Sequence, residues 1–239
     1  MLRLANSAYF GLSRRIGSSR EAIAILGLKR VYDVATMAAM QRLLPKQIPG
    51  YELSSQAFWR HSVAVASFAD NLSRAAGIAT PATVFTAGLM HDIGKLILGE
   101  FLALHATPIL EKLRGEGKTL VGAEREILGV DHTEVGAALA TQWKLPDQVV
   151  AVIRWHHRPD DVPADVPRDC VDLTHIADAL AHAFGYGADI GELHRALDLM
   201  TYDRLKLATP VVEEVVARSF TDIEGLTHLV WHSDAGGKT

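Results

Sequence analysis

The side chains of this sequence whose types and spacing could do chemistry are His61, the doublet His91-Asp92, His132, the pair His156-His157, and Asp178. Each lies in or beside a stretch whose apolar residues recur at helical intervals. A polar ring buried in such a stripe costs free energy unless a partner satisfies it. Neutral imidazole nitrogen and carboxylate oxygen are donors that suit Zn, Fe, Mn and Ni, so the set reads as a metal site assembled from several helices. The doublet is its centre. It places two ligands of different kind on one helical turn, with a carboxylate able to bridge two ions beside an imidazole that binds one. Lys95 follows three residues beyond Asp92 on nearly the same face, a compact positive charge suited to a phosphate.

Each residue also has a plainer reading. His61 in an apolar stripe is, alone, a satisfied core histidine. His91-Asp92 reads equally as a hydrogen-bonded structural pair, and His132 as the residue that follows a helix cap. Neighbours on a helix point roughly 100° apart, so His156 and His157 divide into one ligand and one residue beside it or in solvent. Asp178 has His175 and His182 at helical spacing, either of which could orient it, or all three form a polar network without metal.

The elements that must position these residues are almost all helices. Gly11-Leu12-Ser13 ends a first short helix, and Ser19 caps a second with Ala22 at its third position. A third runs over about 28–44 and stops at Pro45 and Pro49-Gly50, the sharpest boundary in the chain. Phe58, His61, Val65, Phe68 and Leu72 form one stripe of a helix over about 54–76 that Gly77 ends. Thr80-Pro81 opens the helix bearing His91 and Asp92. Helices are expected over 101–114 and 120–128. Asp131 and Glu134 form a capping box for the helix that starts at His132 and runs to Trp143. Pro146 opens the helix reaching His156 and His157, and 171–184 carries Asp178. Shorter helices follow, and 233–239 reads as a frayed tail. No sustained strand alternation is visible.

The 239 residues, 49% hydrophobic, suffice for one large domain or two small ones. Eight Lys/Arg against Glu21 and Asp33 give residues 1–50 a charge of +6, leaving −10 for the rest of a chain whose net charge is −4. That basic segment is expected to be a solvated face. No arginine–aromatic interleaving supports nucleic-acid binding. A single cysteine, Cys170, excludes an internal disulfide framework, and no apolar run has membrane-spanning length. A soluble cytoplasmic protein is the expectation. Residues 1–10 are mostly apolar and too short for a helix stable by itself. Either self-association through an apolar patch near residues 1–30, as in a homodimer, or a true start further upstream is expected.

At the level of motifs the chain resembles the HD superfamily of metal-dependent phosphohydrolases, with its order His…His-Asp…Asp, and more closely the HDOD family. The phrases that carry the resemblance are Leu-Arg-Leu-Ala-Asn-Ser-Ala-Tyr-Phe-Gly (2–11), Ala22-Ile-x-x-Leu-Gly27, Ala87-Gly-Leu-Met-His-Asp-Ile-Gly-Lys95, Asp131-His-x-x-Val-Gly136, Trp143-x-Leu-Pro146 and His156-His157. The resemblance implies an all-α fold: a partial N-terminal helical subdomain at 1–50, an HD-like helical domain at 51–232 and the tail. It implies a divalent metal, one ion or two, on His61, His91, Asp92, His132, His156, His157 and Asp178, and a phosphate-contacting role for Lys95. It implies a bacterial signalling or regulatory module whose partner is a signalling protein or a nucleotide. The alternative is an active phosphohydrolase on a nucleotide-like substrate, with Asp92 and Lys95 in the catalytic apparatus. The related HD-GYP family carries Gly-Tyr-Pro after its double histidine. Here Arg158-Pro159-Asp160 follows, so hydrolysis of cyclic di-GMP is not expected.

Overall fold

The computed structural model describes residues 2–6, 12, 14–78, 83–105, 118–187 and 200–231. Its helices are α1 (Leu2–Ala5), α2 (Ser19–Leu43), α3 (Ser55–Ala75), α4 (Val84–Met90), α5 (Lys95–Leu102), α6 (Leu120–Leu128), α7 (His132–Gln142), α8 (Asp147–Trp155), α9 (Asp169–Ala183), α10 (Met200–Leu205) and α11 (Thr209–Trp231). The fold is all-α, as expected. The exception is a small antiparallel hairpin of β1 (Gln47–Ile48) and β2 (Leu53–Ser54), joined by a 3-10 turn over Pro49–Tyr51. Two paired residues per strand are too few to leave a period-two pattern in the sequence. The turn and β1 rest on α5.

Helix α3 is the axis. Ser54 caps it by accepting the Ala57 N–H (3.1 Å), and nearly every residue from Phe58 to Ser73 is buried. A helix enclosed on all sides must be apolar or internally satisfied all round. Helices α4, α9 and α11 supply the enclosure. The core built there takes in Phe58, Trp59, Phe68 and Leu72 of α3, Phe85 and Leu89 of α4, Val152 and Ile153 of α8, and Leu173 and Ile176 of α9.

The expected helix opening at Ser19 and the expected helix at 28–44 are one element bent at Gly27, whose φ of 80° is open to glycine but strained for other residues. Its cap is Ser18, not Ser19: the Ser18 hydroxyl accepts the Glu21 N–H at 3.2 Å. Before the bend, Ala22 belongs to a small separate cluster with Ala5 and Ile16. After it, Val34, Met37 and Met40 enter the main core. Asn6 staples the first segment: its amide donates to the carbonyls of Leu2 (2.9 Å) and Ile16 (2.8 Å) and accepts the Ile16 N–H. That is the structural role its residue type suggests. Ile23, Ile25, Leu28 and Tyr32 of α2 are exposed. The expected helix start at Thr80-Pro81, most of the expected helix at 101–114, and the tail lie outside the described residues. No helix among the described residues is long and apolar enough to cross a membrane.

Candidate metal centre

Six helices deliver the expected residues to one place. His61 sits mid-way along α3, and His91 ends α4. Asp92 lies in the turn before α5, and Lys95 is the first residue of that helix. The capping box at Asp131 and Glu134 is present and puts His132 in the first position of α7. Pro146 precedes α8, which ends at His156 with His157 beside it, and Asp178 projects from α9. Gly94 makes the assembly tight. A Cβ there would lie 1.9 Å from the His132 carbonyl oxygen and 2.8 Å from the Gly136 nitrogen. Only glycine lets the start of α5 approach the start of α7 closely enough to bring Asp92 to His132.

Asp92 faces two ways. Its Oδ2 is 3.3 Å from His91 Nε2 and 3.8 Å from His61 Nε2. On that side His61 Nε2 is 3.2 Å from Asp178 Oδ1 and 3.3 Å from His91 Nε2. Its Oδ1 is 3.3 Å from His132 Nε2 and 3.6 Å from His156 Nε2, and His157 Nε2 is 3.1 Å from His132 Nε2. The donor atoms of Asp92, His132, His156 and His157 all lie within 4.8 Å of one another, as do those of His61, His91 and Asp92. Asp92 is the member common to both groups. Both histidines of the 156–157 pair therefore turn inward, the first fully buried and the second partly.

The hydrogen bonds on the far sides of the rings decide what these nitrogens offer. His91 Nδ1 donates to the Gly88 carbonyl (2.8 Å), and His156 Nδ1 to those of Val152 and Ile153 (3.1 Å each). His132 Nδ1 donates to the Glu124 carboxylate (2.8 Å). Carbonyl and carboxylate oxygens only accept, so each Nδ1 carries a proton and each neutral ring presents the Nε2 lone pair inward. Lone pairs then converge on carboxylate oxygens. Asp92 Oδ1 and His156 Nε2 are buried without a hydrogen-bond partner. Three buried carboxylates, Asp92, Asp178 and Glu124, share the region with the buried ammonium of Lys95. Converging lone pairs, orphaned buried acceptors and a local excess of negative charge are what a divalent cation would satisfy. The residues present fit one.

Titration behaviour follows the same geometry. Burial by itself would raise the Asp92 carboxyl, but His91, Lys95 and the contacts with His132 and His156 outweigh it and hold it well below the usual range. Burial opposes charge on His132 as well, yet Glu124 and Asp92 carry it up to about 9. An ion bound at its Nε2 would displace that proton. His156 is pushed down to about 4 by burial, with His91 and His132 adding to the effect against Asp92.

Lys95 is fully buried with its Nζ 2.7 Å from Asp92 Oδ2, so here its charge serves Asp92. Of the two histidines flanking Asp178, His182 is close, with Nε2 3.6 Å from Oδ1 and its ring 4.7 Å from that of His61. His175 acts elsewhere. Its Nδ1 donates to the His156 carbonyl (2.7 Å) and pins the turn that bears His156 and His157. Burial, with Asp169 beside it, pushes the Cys170 thiol up to about 11, an unreactive core thiol. Sequence reasoning missed Glu124 and Tyr51, whose hydroxyl donates to Glu124 Oε1 at 2.7 Å. A signal existed for the first. Glu124 stands between Leu120 and Leu128 at four-residue steps, on the apolar stripe of α6. The side chains of His105, His194, His228 and His232 lie outside the described residues.

A model of the HDOD domain matches residues 1–159. An uncharacterized protein of Treponema pallidum (strain Nichols) is 28% identical over 175 residues, which are 69% of this chain and 32% of that protein. The chain thus spans about a third of that relative's length. Among solved structures, an HDOD domain protein of unknown function from Geobacter sulfurreducens superposes with a TM-score of 0.67 at 27% identity, covering 98% of this chain and 76% of that one. A candidate phosphohydrolase from Shewanella amazonensis SB2B gives 0.72 at 20%, covering 96% and 82%. A candidate signal transduction protein from Marinobacter aquaeolei VT8 gives 0.68 at 21%, covering 95% and 51%. The last two, at these identities, speak to the fold alone.

Proposed function

Because this chain belongs to the HDOD domain family, we propose that it is a regulatory module of bacterial signalling built around a divalent-metal centre. The observation that carries the reading is the two-sided carboxylate of Asp92, with His61, His91 and Asp178 on one side and His132, His156 and His157 on the other. The first set would hold one ion and the second another, Asp92 bridging them. Fe, Mn, Zn and Ni all accept such donors. When bound, such ions supply Lewis acidity and an acidified water.

The chain's own residues favour binding over turnover. His91, His132, His156 and Lys95 are fully buried, and His61, Asp92 and Asp178 nearly so. Of these ligand residues only His157 is partly exposed, as is His182 beside Asp178. Lys95, the group suited to a phosphate, is already committed to Asp92. A centre so enclosed suits a module whose metal sets its shape for a partner, a signalling protein or a nucleotide. A second reading, phosphohydrolysis of a nucleotide-like ester, draws on the bridging geometry. In it Lys95 would leave Asp92 to neutralise the phosphate, and His157, left out of the second ion's ligands, would protonate the leaving oxygen.

One experiment separates them: metal analysis of protein purified without chelator, alongside a panel of phosphoesters that includes cyclic di-GMP. Bound transition metal, lost in Asp92→Ala, with no turnover, is the expected result. Turnover that Asp92→Ala abolishes would establish the phosphohydrolase instead. Protein that stays metal-free when offered each ion would end both readings.

A further inference from the structure

The two halves of the centre are held in place by different means. His91 is oriented by a carbonyl of its own helix, as is His156. His132 is oriented by a side chain from elsewhere. Glu124 of α6 accepts the His132 backbone N–H at 2.9 Å with Oε2. The same oxygen accepts the ring Nδ1–H at 2.8 Å, with Oε1 at 3.0 Å. Oε1 also accepts the Tyr51 hydroxyl at 2.7 Å. Glu124, Tyr51 and His132 are all fully buried. A carboxylate with no solvent exposure is expensive, and no Lys or Arg ion pair with Glu124 occurs among the described residues. Its one charged or chargeable partner there is a ring of the centre. It therefore does not stabilise the fold as a surface ion pair would. It keeps the hydrogen on His132 Nδ1 and fixes where Nε2 points.

We propose that Glu124, itself clamped by the Tyr51 hydroxyl, is the positioning residue that aims His132 Nε2 at Asp92 Oδ1 and His157, and so sets the second half of the centre without fixing the first. This rests on the metal reading above and deepens it. Tyr51 gives the arrangement reach. It lies in the turn between β1 and β2, and its ring faces the Lys95 ammonium at 5.7 Å. One side chain from the hairpin thus touches supports on both sides of Asp92: Glu124 behind His132, and Lys95 at Oδ2. Partners of this kind behind a ligating histidine are worth about 10–100-fold in metal affinity.

The test uses the whole chain with Mn(II) and Zn(II), in wild type, Glu124→Ala, Glu124→Gln and Tyr51→Phe. Metal stoichiometry and affinity are the first readout. A solvent-protected His132 Nδ1–H resonance in ¹⁵N-histidine-labelled, metal-free protein is the second. Wild type is expected to show the protected proton and two ions. Glu124→Ala should lose the proton and weaken one ion about 10–100-fold while the other is unchanged. Glu124→Gln, whose single amide oxygen can still accept from the ring, should restore the proton and part of the affinity. Tyr51→Phe, which keeps the aromatic bulk and folds even if Glu124→Ala does not, should weaken the same ion by less. Equal weakening of both ions, or an unchanged Nδ1–H in Glu124→Ala, would overturn the assignment. Should wild type take up neither ion, the metal reading falls, while the proton signal still judges what Glu124 does to His132.

Discussion

Asp33 and Asp92 are both buried aspartates, and they meet opposite fates. Asp33, on α2, has neither oxygen hydrogen-bonded. Burial raises it to about 7, Asp70 adds to the rise, and Lys29, Arg30 and Arg74 pull only partly against it. Two of the nearby cations are engaged elsewhere: Lys29 and Arg74 both bind Asp70. Asp92 is at least as enclosed, yet it is ringed by Lys95 and four imidazoles and stays charged. The cost of burial is common to the two sites. What differs is whether the neighbours are arranged to receive a charge, and at Asp92 they are. A buried carboxylate alone is therefore a poor mark of function, whereas one kept ionised by converging groups is a good one.

The largest expected effect comes from removing the better-served carboxylate. Asp92→Ala should abolish binding of both ions and leave the Lys95 ammonium buried without this carboxylate, a loss of about 3–5 kcal/mol in stability. Metal analysis and denaturant melts check it, and a variant that kept one ion at full affinity would break the contrast. Gly94→Ala asks whether the closeness of α5 and α7 is what serves Asp92. Its methyl would meet backbone at 1.9 Å, so destabilisation of about 3 kcal/mol or more is expected by urea titration.

Asp33→Asn should act with the opposite sign. A folded-state value of about 7, above the ordinary 3.8, means that the folded protein holds a proton the unfolded chain releases. Stability from this group is therefore whole below about 4, is lost as pH rises toward 7, and stays lost above. The asparagine variant should match wild type near pH 4 and exceed it at pH 8 by about 1–3 kcal/mol, less than the full shift because the amide is also buried. Thermal melts across that range decide the matter. Lys29→Met should do least. It removes a part-exposed partner of Asp70 and an influence that lowers Asp33, for a loss of at most about 1 kcal/mol, shrinking further in Asp33→Asn.

Legibility in the sequence divides along similar lines. His61, His91, Asp92, His132, His156, His157 and Asp178 stand out because each is a metal-ligand type set among apolar residues at helical period. The stripe of α3 and the capping box of α7 are readable from local chemistry. Glu124 does not stand out, although it lies on an apolar stripe too, since a glutamate beside Arg125 and Glu126 reads as solvated. Tyr51 is invisible because a hydroxyl's partner 73 residues away leaves no local trace. Gly27 reads as a boundary between helices where it is a bend within one. The role of His175 depends on which way the chain turns after α8, which only packing settles.

Helix α9 reaches both ends of the candidate centre: Asp178 is one of its candidate donors, and His175, one turn earlier, donates to the carbonyl of His156. Further back on the same helix, Asp172 takes a two-pronged grip from Arg204 of α10, through Nε at 2.8 Å and Nη2 at 2.9 Å. The same guanidinium reaches Asp160 in the loop after the histidine pair. Mechanically, α9 is a tie-rod. Asp178 and the turn that bears His156 therefore hang from one support, and Arg204 of α10 braces that support from the far side.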